Sequence, residues 1–272
     1  MKLTDVFGKS LVPLKNKRLF LLDQDGTIYK ENRLFSGAIP FLSALKKTEK
    51  TFIFITNNSS KSTEDYVLKM RKLGIEVTKE EFYTSVDATI IYLQTKHPGK
   101  TVFPVGTASF IKGLKEAGIP LCSAQEADIA LLSYDTELTY EKLITLSEML
   151  SKREVIYLAT NPDWVCPTAF GYAPDCGSFA FMIEKATGKL PVFIGKPSPL
   201  MIETVLEKTG FKKEDVVVIG DRLYTDVLSA HNAGVDSIAV LSGEVTLAEI
   251  KKSEFAPTYV IEDIGDLVPL FQ

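Results

Sequence analysis

Two aspartates, Asp23 and Asp25, are separated by a single residue at the end of an apolar run in the segment LFLLDQDGTIY. In extended backbone, side chains two residues apart point to the same face, so both carboxylates can reach one site. Gly26 follows them and permits a sharp turn past the pair. The run over residues 19–22 has the composition of a buried strand. Carboxylates at the tip of such a strand are candidates for binding a metal ion.

Polar residues follow three further apolar runs along the chain. They are residues 56–60 (TNNSS), residues 195–197 (GKP) and residues 220–226 (GDRLYTD). In open α/β sheets, ligands bind outside the carboxyl ends of the strands. We therefore expect the four strand tips to converge on one site.

A site built from these tips would hold the carboxylates of Asp23, Asp25, Asp221 and Asp226 and the ammonium group of Lys196. Bare carboxylates about 4 Å apart repel by roughly 4 kcal/mol per pair at an effective dielectric constant near 20. One lysine does not neutralise them. An all-oxygen ligand set selects a hard divalent cation such as Mg2+, which keeps open positions for water and phosphate. The residues therefore predict a site that holds a phosphate against Mg2+.

Short runs rich in Val, Ile and Phe alternate with helix-length amphipathic stretches along the chain. This alternation predicts parallel strands joined by crossover helices, which is an α/β fold. Because the runs are apolar on both faces, we expect helices to cover both sides of the sheet. The predicted strands are residues 19–22, 52–56, 101–105, 129–133, 155–160, 192–194, 216–219 and 237–241.

The four polar segments together resemble the motifs of the haloacid dehalogenase superfamily, whose members are mostly phosphatases. The matching features are DxDGT after a buried strand, a threonine on the second strand tip, a lone lysine before proline, and GDxxxxD, in this order. The TNN, GKP and GDRLYTD strings and the long insertion are similar to those of the NagD-like branch, subfamily IIA. The resemblance implies a Rossmann-like parallel-sheet core with helices on both faces, formed by residues 1–80 and 187–272. It also implies a smaller α/β cap domain inserted over residues 81–186.

The resemblance implies a role for each residue of the motifs. Asp23 resembles the nucleophile that attacks phosphorus and forms an aspartyl-phosphate, which water then hydrolyses. Asp25 resembles the general acid that protonates the leaving alkoxide and later deprotonates the water. Thr56, the backbone amide of Asn57 and Lys196 match the groups that bind the phosphoryl oxygens, and Lys196 also supplies positive charge to the nucleophile.

The same resemblance implies a metal site. Asp221 matches a Mg2+ ligand that acts with the Asp23 carboxylate and the backbone carbonyl of Asp25. Asp226 matches a residue that acts through a metal-bound water or holds a neighbouring group. The implied function is a Mg2+-dependent phosphatase of small phosphorylated metabolites, such as sugar phosphates, phosphoglycolate, nucleoside monophosphates or pyridoxal phosphate. Two alternatives stay open: a phosphotransferase or mutase that uses the same aspartyl-phosphate, and a non-catalytic protein that binds a phosphorylated metabolite.

A segment within the inserted region is a candidate for substrate recognition. Residues 159–178 are dense in Pro, Gly, Asn and Asp and include Trp164, the only tryptophan. Long polar loops after strands often carry specificity. We expect Asp175, Cys176 and Gly177 to face the active site, while packing of the cap by Trp164 and the prolines is the alternative.

Composition and charge limit the partners and the cellular location that we expect for the protein. The net charge of -4 leaves no basic surplus for a phosphate backbone, so nucleic acid is not expected as a partner. No window reaches the roughly 18 apolar residues that would span a bilayer, and no signal-peptide pattern opens the chain. We therefore expect a cytoplasmic protein with no membrane partner, whose exposed cap surface could support a homodimer.

Other motifs give no support to further functions. The three cysteines lack CxxC spacing, which argues against a zinc knuckle or a disulfide framework. The GKPS string does not complete a P-loop, because Leu190 stands where the first glycine and Pro197 where the final Ser or Thr would be. The GxGxxG, GxSxG and HExxH patterns do not occur in the sequence.

Overall fold

The computed structural model describes residues 3–168 and 170–272, so Ala169, within the loop 159–178, lies outside the described residues. The strands, in chain order, are β1 (Leu19–Leu22), β2 (Tyr29–Lys30), β3 (Arg33–Leu34), β4 (Thr51–Thr56), β5 (Phe82–Thr84), β6 (Val102–Val105), β7 (Ile129–Leu132), β8 (Ile156–Ala159), β9 (Val165–Thr168), β10 (Gly171–Pro174), β11 (Val192–Phe193), β12 (Val216–Gly220), β13 (Asp236–Val240) and β14 (Tyr259–Ile261).

Helices alternate with these strands, which confirms the α/β class. They are α1 (Ala38–Lys47), α2 (Thr63–Lys72), α3 (Ser85–Lys96), α4 (Ala108–Glu116), α5 (Tyr140–Lys152), α6 (Cys176–Thr187), α7 (Leu200–Thr209), α8 (Leu228–Ala233) and α9 (Leu247–Lys252). Each of the eight predicted strands falls on an observed one, within two residues at either end. Short 3-10 segments occupy Val12–Asn16, Lys79–Glu81, Lys213–Asp215 and Ile264–Leu270.

The chain divides into two compact units. The first unit contains the residues up to Thr56, Val67–Tyr83 and Lys196–Gln272, and the second contains Asn57–Tyr66 and Thr84–Gly195. The family resemblance implies an inserted region over residues 81–186, as a single segment. The second unit differs from it by including an early stretch, Asn57–Tyr66, and by continuing as far as Gly195.

The first unit is built on a six-stranded sheet with the order β14-β13-β12-β1-β4-β5. The pairs from β14 to β4 are parallel. Every residue of β1 and β12 is buried, so both faces of the sheet's centre are covered. A short antiparallel hairpin, β2 with β3, follows β1.

The position of β1 between β12 and β4 determines where a ligand can bind in this sheet. From β1 the chain continues to β4 on one side and reaches β12 on the other. Helices that leave a parallel sheet in opposite directions open a crevice at the carboxyl ends of the strands. Asp23, Thr56 and Asp221 stand at these three strand ends, as the sequence predicts.

The second unit has its own parallel sheet, in the order β11-β8-β7-β6, and an antiparallel hairpin of β9 with β10. Its apolar core includes Leu132, Leu146, Leu150 and Cys176, all buried. Because β11 pairs with β8, the strand before Lys196 belongs to this sheet. Lys196 therefore does not follow a strand of the six-stranded sheet, unlike the other three motifs.

Among the described residues, no helix is both long and apolar enough to cross a membrane.

Candidate active site

Asp23 extends the pairing of β1 with β12 by one residue, because its N–H donates to the carbonyl of Ile219 at 2.8 Å. Its side chain is 15% exposed and accepts a hydrogen bond from Lys196 Nζ at 2.6 Å. The carboxylate is thus held by a cation and still accessible. A group in this position can attack a substrate that approaches the strand end.

Lys196 is the buried cation of the site, with a side chain that is 2% exposed. Its Nζ donates to Asp23 Oδ1, to Asp226 Oδ1 at 2.5 Å and to the Ile55 carbonyl at 3.5 Å. Burial favours the neutral amine, but the charges of Asp226 and Asp23 outweigh it and raise the pKa of Lys196 above its usual value. The lysine therefore carries its charge at neutral pH.

Asp226 is the second carboxylate that accepts a hydrogen bond from Lys196. It lies in a π-helical turn, Leu223–Val227, which begins two residues after Asp221. Such turns are rare in proteins, and those that occur are often at functional sites. Its Oδ2 accepts from the Arg222 N–H at 3.2 Å. A side chain at Gly220 would overlap with the Asp226 carboxylate. The glycine of the GDRLYTD string therefore leaves the space that Asp226 occupies.

Asp221 stands at the end of β12 and is 4% exposed. Its Oδ2 accepts from the Glu244 N–H at 2.8 Å, whereas Oδ1 is buried with no hydrogen-bond partner among the described residues. A Cβ at either Gly26 or Gly243 would overlap with this carboxylate. Burial and the charge of Asp226 raise the pKa of Asp221 to about 7, against the opposing charge of Arg222.

Asp23, Asp221 and Asp226 form an acidic cluster in which each residue offers an oxygen within 4.8 Å of the others. Lys196 pairs with Asp23 and Asp226, and its single charge is fewer than the three carboxylates of the cluster. The orphaned Asp221 Oδ1 is a buried acceptor in need of a positive partner. Oxygen ligands of this kind fit a hard divalent cation.

The acidic cluster also affects the pKa of Asp23, the candidate nucleophile. Burial raises the pKa of Asp23 well above its usual range, Lys196 opposes this effect, and the charges of Asp226 and Asp221 add to it. The ionised forms of Asp23 and Asp221 are therefore disfavoured until a further cation compensates their charge. A bound cation would lower these pKa values and leave Asp23 ionised.

The other two predicted residues of the first unit differ in exposure. Asp25 is exposed and belongs to a tight turn, in which the Gly26 N–H donates to the Tyr29 carbonyl at 2.8 Å. Gly26 has a positive φ of 82°, a conformation that favours glycine. Thr56 is the last residue of β4 and is 8% exposed. An exposed carboxyl at the strand tip is suited to proton exchange with substrate and water.

Asn57 and the three residues predicted for specificity belong to the second unit. The Asn57 carbonyl accepts from Ser85 Oγ at 2.6 Å. Asp175 caps α6 by accepting from the Cys176 N–H at 2.5 Å, and it also accepts from Asn161 Nδ2 at 3.0 Å. The roles of these residues in phosphate binding and specificity stay predictions.

Cys176 and Gly177 are buried in the interior of the second unit. The Cys176 thiol is fully buried in the apolar core, and burial raises its pKa to about 12, with a further contribution from Asp175. The Gly177 N–H donates to the Asp163 carbonyl at 2.8 Å. A Cβ on Gly177 would overlap with the Pro162 carbonyl, so the start of α6 packs closely against this loop.

One group of residues at the site was missed by the sequence analysis. It is the loop after β13, where Glu244 donates its N–H to Asp221 and Ser242 Oγ donates to the Gly26 carbonyl at 2.6 Å. The signal was present, because residues 242–244 (SGE) are polar residues directly after the predicted strand 237–241. The rule that selected the other strand tips applies equally to this one.

Comparison with known families gives two matches along the chain. The model of the haloacid dehalogenase-like hydrolases matches residues 20–120. A second, HAD-hydrolase-like model matches residues 193–267. The two matches include all the residues of the acidic cluster and Lys196.

Individual relatives are similar over nearly the whole chain. An acid sugar phosphatase of Staphylococcus saprophyticus is 33% identical over 255 residues, which cover 94% of this chain and 98% of that protein. The crystal structure of a 4-nitrophenylphosphatase from Thermotoga maritima superposes with a TM-score of 0.91 at 38% identity, covering 96% of this chain and 99% of that one. NagD from E. coli K-12 superposes with a TM-score of 0.84 at 28% identity, covering 92% and 97%.

Proposed function

Since this chain belongs to the haloacid dehalogenase-like hydrolases, in their NagD-like group of phosphatases, we propose that it is a Mg2+-dependent phosphatase of small phosphorylated metabolites. The observation that carries the proposal is the ion pair of Lys196 with Asp23 inside the cluster of Asp23, Asp221 and Asp226. A cation-paired carboxylate at a strand tip, beside further carboxylates, suits attack on an anionic phosphate ester. Without added positive charge, the cluster would repel such a substrate.

In the proposed reaction, an oxygen of Asp23 attacks phosphorus in line with the leaving oxygen. A new bond forms between Asp23 and phosphorus, the ester P–O bond breaks, and Asp25 gives its proton to the leaving alkoxide. Asp25 then takes a proton from water, which attacks phosphorus and releases inorganic phosphate with the Asp23 carboxylate restored. The exposure of Asp25 supports this role, because it exchanges protons with both the alcohol and the water.

Positive charge in this reaction comes from Lys196 and from the metal. Lys196 neutralises the nucleophile before attack and contacts the phosphoryl oxygens afterwards, together with Thr56 and the amide of Asn57. Asp23, Asp221 and the backbone carbonyl of Asp25 would hold Mg2+, and Asp226 would hold Lys196. When bound, Mg2+ supplies charge that stabilises the phosphoryl oxygens in the transition state.

The substrate class is a small phosphate monoester. The names of two relatives, an acid sugar phosphatase and a 4-nitrophenylphosphatase, favour sugar phosphates as the first compounds to assay and 4-nitrophenyl phosphate as a general probe. Phosphoglycolate, nucleoside monophosphates and pyridoxal phosphate complete the panel. An acceptor sugar in the same assay separates hydrolysis from phosphoryl transfer, since hydrolysis releases inorganic phosphate in equal amount to the alcohol.

The direct test is hydrolysis of 4-nitrophenyl phosphate by the wild-type protein and by Asp23→Asn. We expect turnover that requires Mg2+ in the wild type, and no phosphoenzyme and at least about a 1000-fold lower kcat in Asp23→Asn. The matched control is Asp266→Asn, which removes the charge of an exposed carboxylate and should keep full activity. Activity retained in Asp23→Asn would refute the nucleophile, and turnover unaffected by chelation would refute the metal.

A further inference from the structure

The loop after β13 bonds to both segments that are proposed to hold the metal. The Glu244 N–H donates to Asp221 Oδ2 at 2.8 Å, and the Val245 N–H donates to the Asp221 carbonyl at 2.9 Å. Ser242 Oγ donates to the Gly26 carbonyl at 2.6 Å, next to the Asp25 carbonyl. The loop thus joins the tip of β1 to the tip of β12, although it contributes no carboxylate to the cluster.

The two carboxylate oxygens of Asp221 differ in their hydrogen bonding. Oδ2 is occupied by the Glu244 N–H, while the buried Oδ1 has no hydrogen-bond partner among the described residues. A carboxylate fixed through one oxygen presents the other in a defined direction. Oδ1 is therefore the oxygen of Asp221 that can bind a cation.

Gly243 contributes space to this arrangement. A Cβ there would overlap with the Asp221 carboxylate, and Gly243 is not among the glycines with a positive φ. Alanine could therefore adopt the backbone conformation of this position, but it could not fit beside Asp221. The glycine is needed for close approach of the loop to the carboxylate.

The Glu244 side chain fixes the loop after β13 through an ion pair with Arg222. Its Oε2 accepts from Arg222 Nε at 2.8 Å, with the arginine side chain 15% exposed and the glutamate side chain 37% exposed. Arg222 directly follows Asp221, and its N–H donates to Asp226. The ion pair therefore joins the loop to the segment that carries both Asp221 and Asp226.

We propose that Glu244 is a positioning residue for the metal: the ion pair of its side chain with Arg222 keeps its N–H on Asp221 Oδ2, which aims Asp221 Oδ1 at the cation. Gly243 is the position that permits this contact. The inference rests on the proposed function, because it takes Mg2+ as the group that Asp221 binds. Groups that orient metal ligands without touching the metal commonly affect metal affinity by about 10- to 100-fold.

The test is the affinity of the whole protein for Mg2+, measured by titration calorimetry without substrate. We expect Glu244→Ala to raise the Kd for Mg2+ about 10-fold, Glu244→Gln to raise it less because its oxygen still accepts from Arg222, and Gly243→Ala to raise it about 100-fold. The control is Glu254→Ala, which removes an exposed glutamate of the same unit and should bind Mg2+ as the wild type does.

The melting temperature of each metal-free variant shows whether the fold survives. Weaker Mg2+ binding by Glu244→Ala, with an unchanged metal-free melting temperature, supports the positioning role. If the wild type binds Mg2+ and Glu244→Ala binds it equally well, the positioning role is overturned and the proposed function stands. If the wild type binds no Mg2+, the metal of the proposed function fails, and the inference fails with it.

Discussion

Lys196 places a positive charge where three carboxylates meet, and its burial makes that charge hard to replace. Its ammonium contacts Asp23 and Asp226 with the side chain 2% exposed. Removing one member of a buried ion pair leaves the remaining charges uncompensated, which is more costly than the loss of the attraction itself. The same lysine therefore affects both the stability of the fold and the chemistry of the site.

We predict that Lys196→Met destabilises the metal-free protein by about 3 to 5 kcal/mol near neutral pH. The loss should shrink in mild acid, because protonation of the carboxylates then relieves their repulsion. Phosphatase activity at saturating Mg2+ should fall at least about 100-fold. Urea unfolding at both pH values and kcat/KM measure the two effects. Lys185→Met, at a side chain that is 85% exposed, is the control and should change neither quantity.

The raised pKa of Asp221 predicts how Mg2+ stabilises the protein at different pH values. A carboxyl with a pKa of about 7 in the folded, metal-free state binds a proton that the unfolded chain, with its ordinary lower pKa, has already lost. Folding stability of the metal-free protein therefore falls as pH rises from the unfolded pKa towards 7. Burial also raises the pKa of Asp23, so this carboxyl changes the stability of the metal-free protein with pH in the same direction as Asp221 does.

Mg2+ requires the ionised carboxylates, so its stabilising effect should grow over the same interval. We expect the rise in melting temperature on adding Mg2+ to be small near about pH 5 and large near about pH 8. Thermal unfolding with Mg2+ and with a chelator at each pH measures this rise. An equal rise at both pH values would contradict the assignment of a titrating carboxyl to the metal site.

At the scale of elements, most strands of two or three residues were missed, although β11, also of two residues, was predicted; β9 and β10, of four residues each, were missed as well. The eight runs that the sequence marks as strands are strands in the structure. β5 and β14, of three residues each, and the hairpin strands β2 and β3, of two residues each, carry too few side chains for a period to show.

The sequence also did not predict which strands pair with one another. Residues 192–194 read as an apolar run before the GKP motif, and nothing in their composition shows that β11 pairs with β8 rather than with a strand of the six-stranded sheet. The motifs still predicted which residues meet, because Lys196, Asp23 and Asp226 do contact one another. The contacts of residues 242–245 were not predicted; two of them are made by the backbone amides of Glu244 and Val245, which any residue type could supply.

The start of α6 allows the specificity prediction to be tested separately from stability. Asp175 caps this helix, so Asp175→Ala should lower the free energy of unfolding by about 1 kcal/mol. We also expect it to change the ratios of kcat/KM among sugar phosphates, phosphoglycolate and 4-nitrophenyl phosphate. The matched control is Asp263→Ala, which removes the cap of Ile264–Leu270 in the first unit and should leave the ratios unchanged. Unchanged ratios in Asp175→Ala would limit Asp175 to its capping role.

At the scale of the whole molecule, the chain supports two units with separate sheets, and the residues of the acidic cluster all belong to the first. The first unit is assembled from three stretches of chain, of which the last begins at Lys196. The chain thus returns to the first unit at the residue that neutralises Asp23 and Asp226. Folding of the six-stranded sheet and assembly of the site therefore depend on the same returning segment.

This division predicts that core substitutions in the two units have different effects on metal binding. Leu146→Ala, in the core of the second unit, and Leu21→Ala, in β1, each remove a fully buried leucine side chain and should each cost about 2 to 5 kcal/mol of stability. Leu146→Ala should change the Kd for Mg2+ by less than about twofold, because independent sites affect each other little. Leu21→Ala should weaken Mg2+ binding, since β1 positions Asp23. Calorimetric titration of both variants below their melting temperatures measures this difference, and equal weakening in the two would show that the metal site depends on the core of the second unit as well.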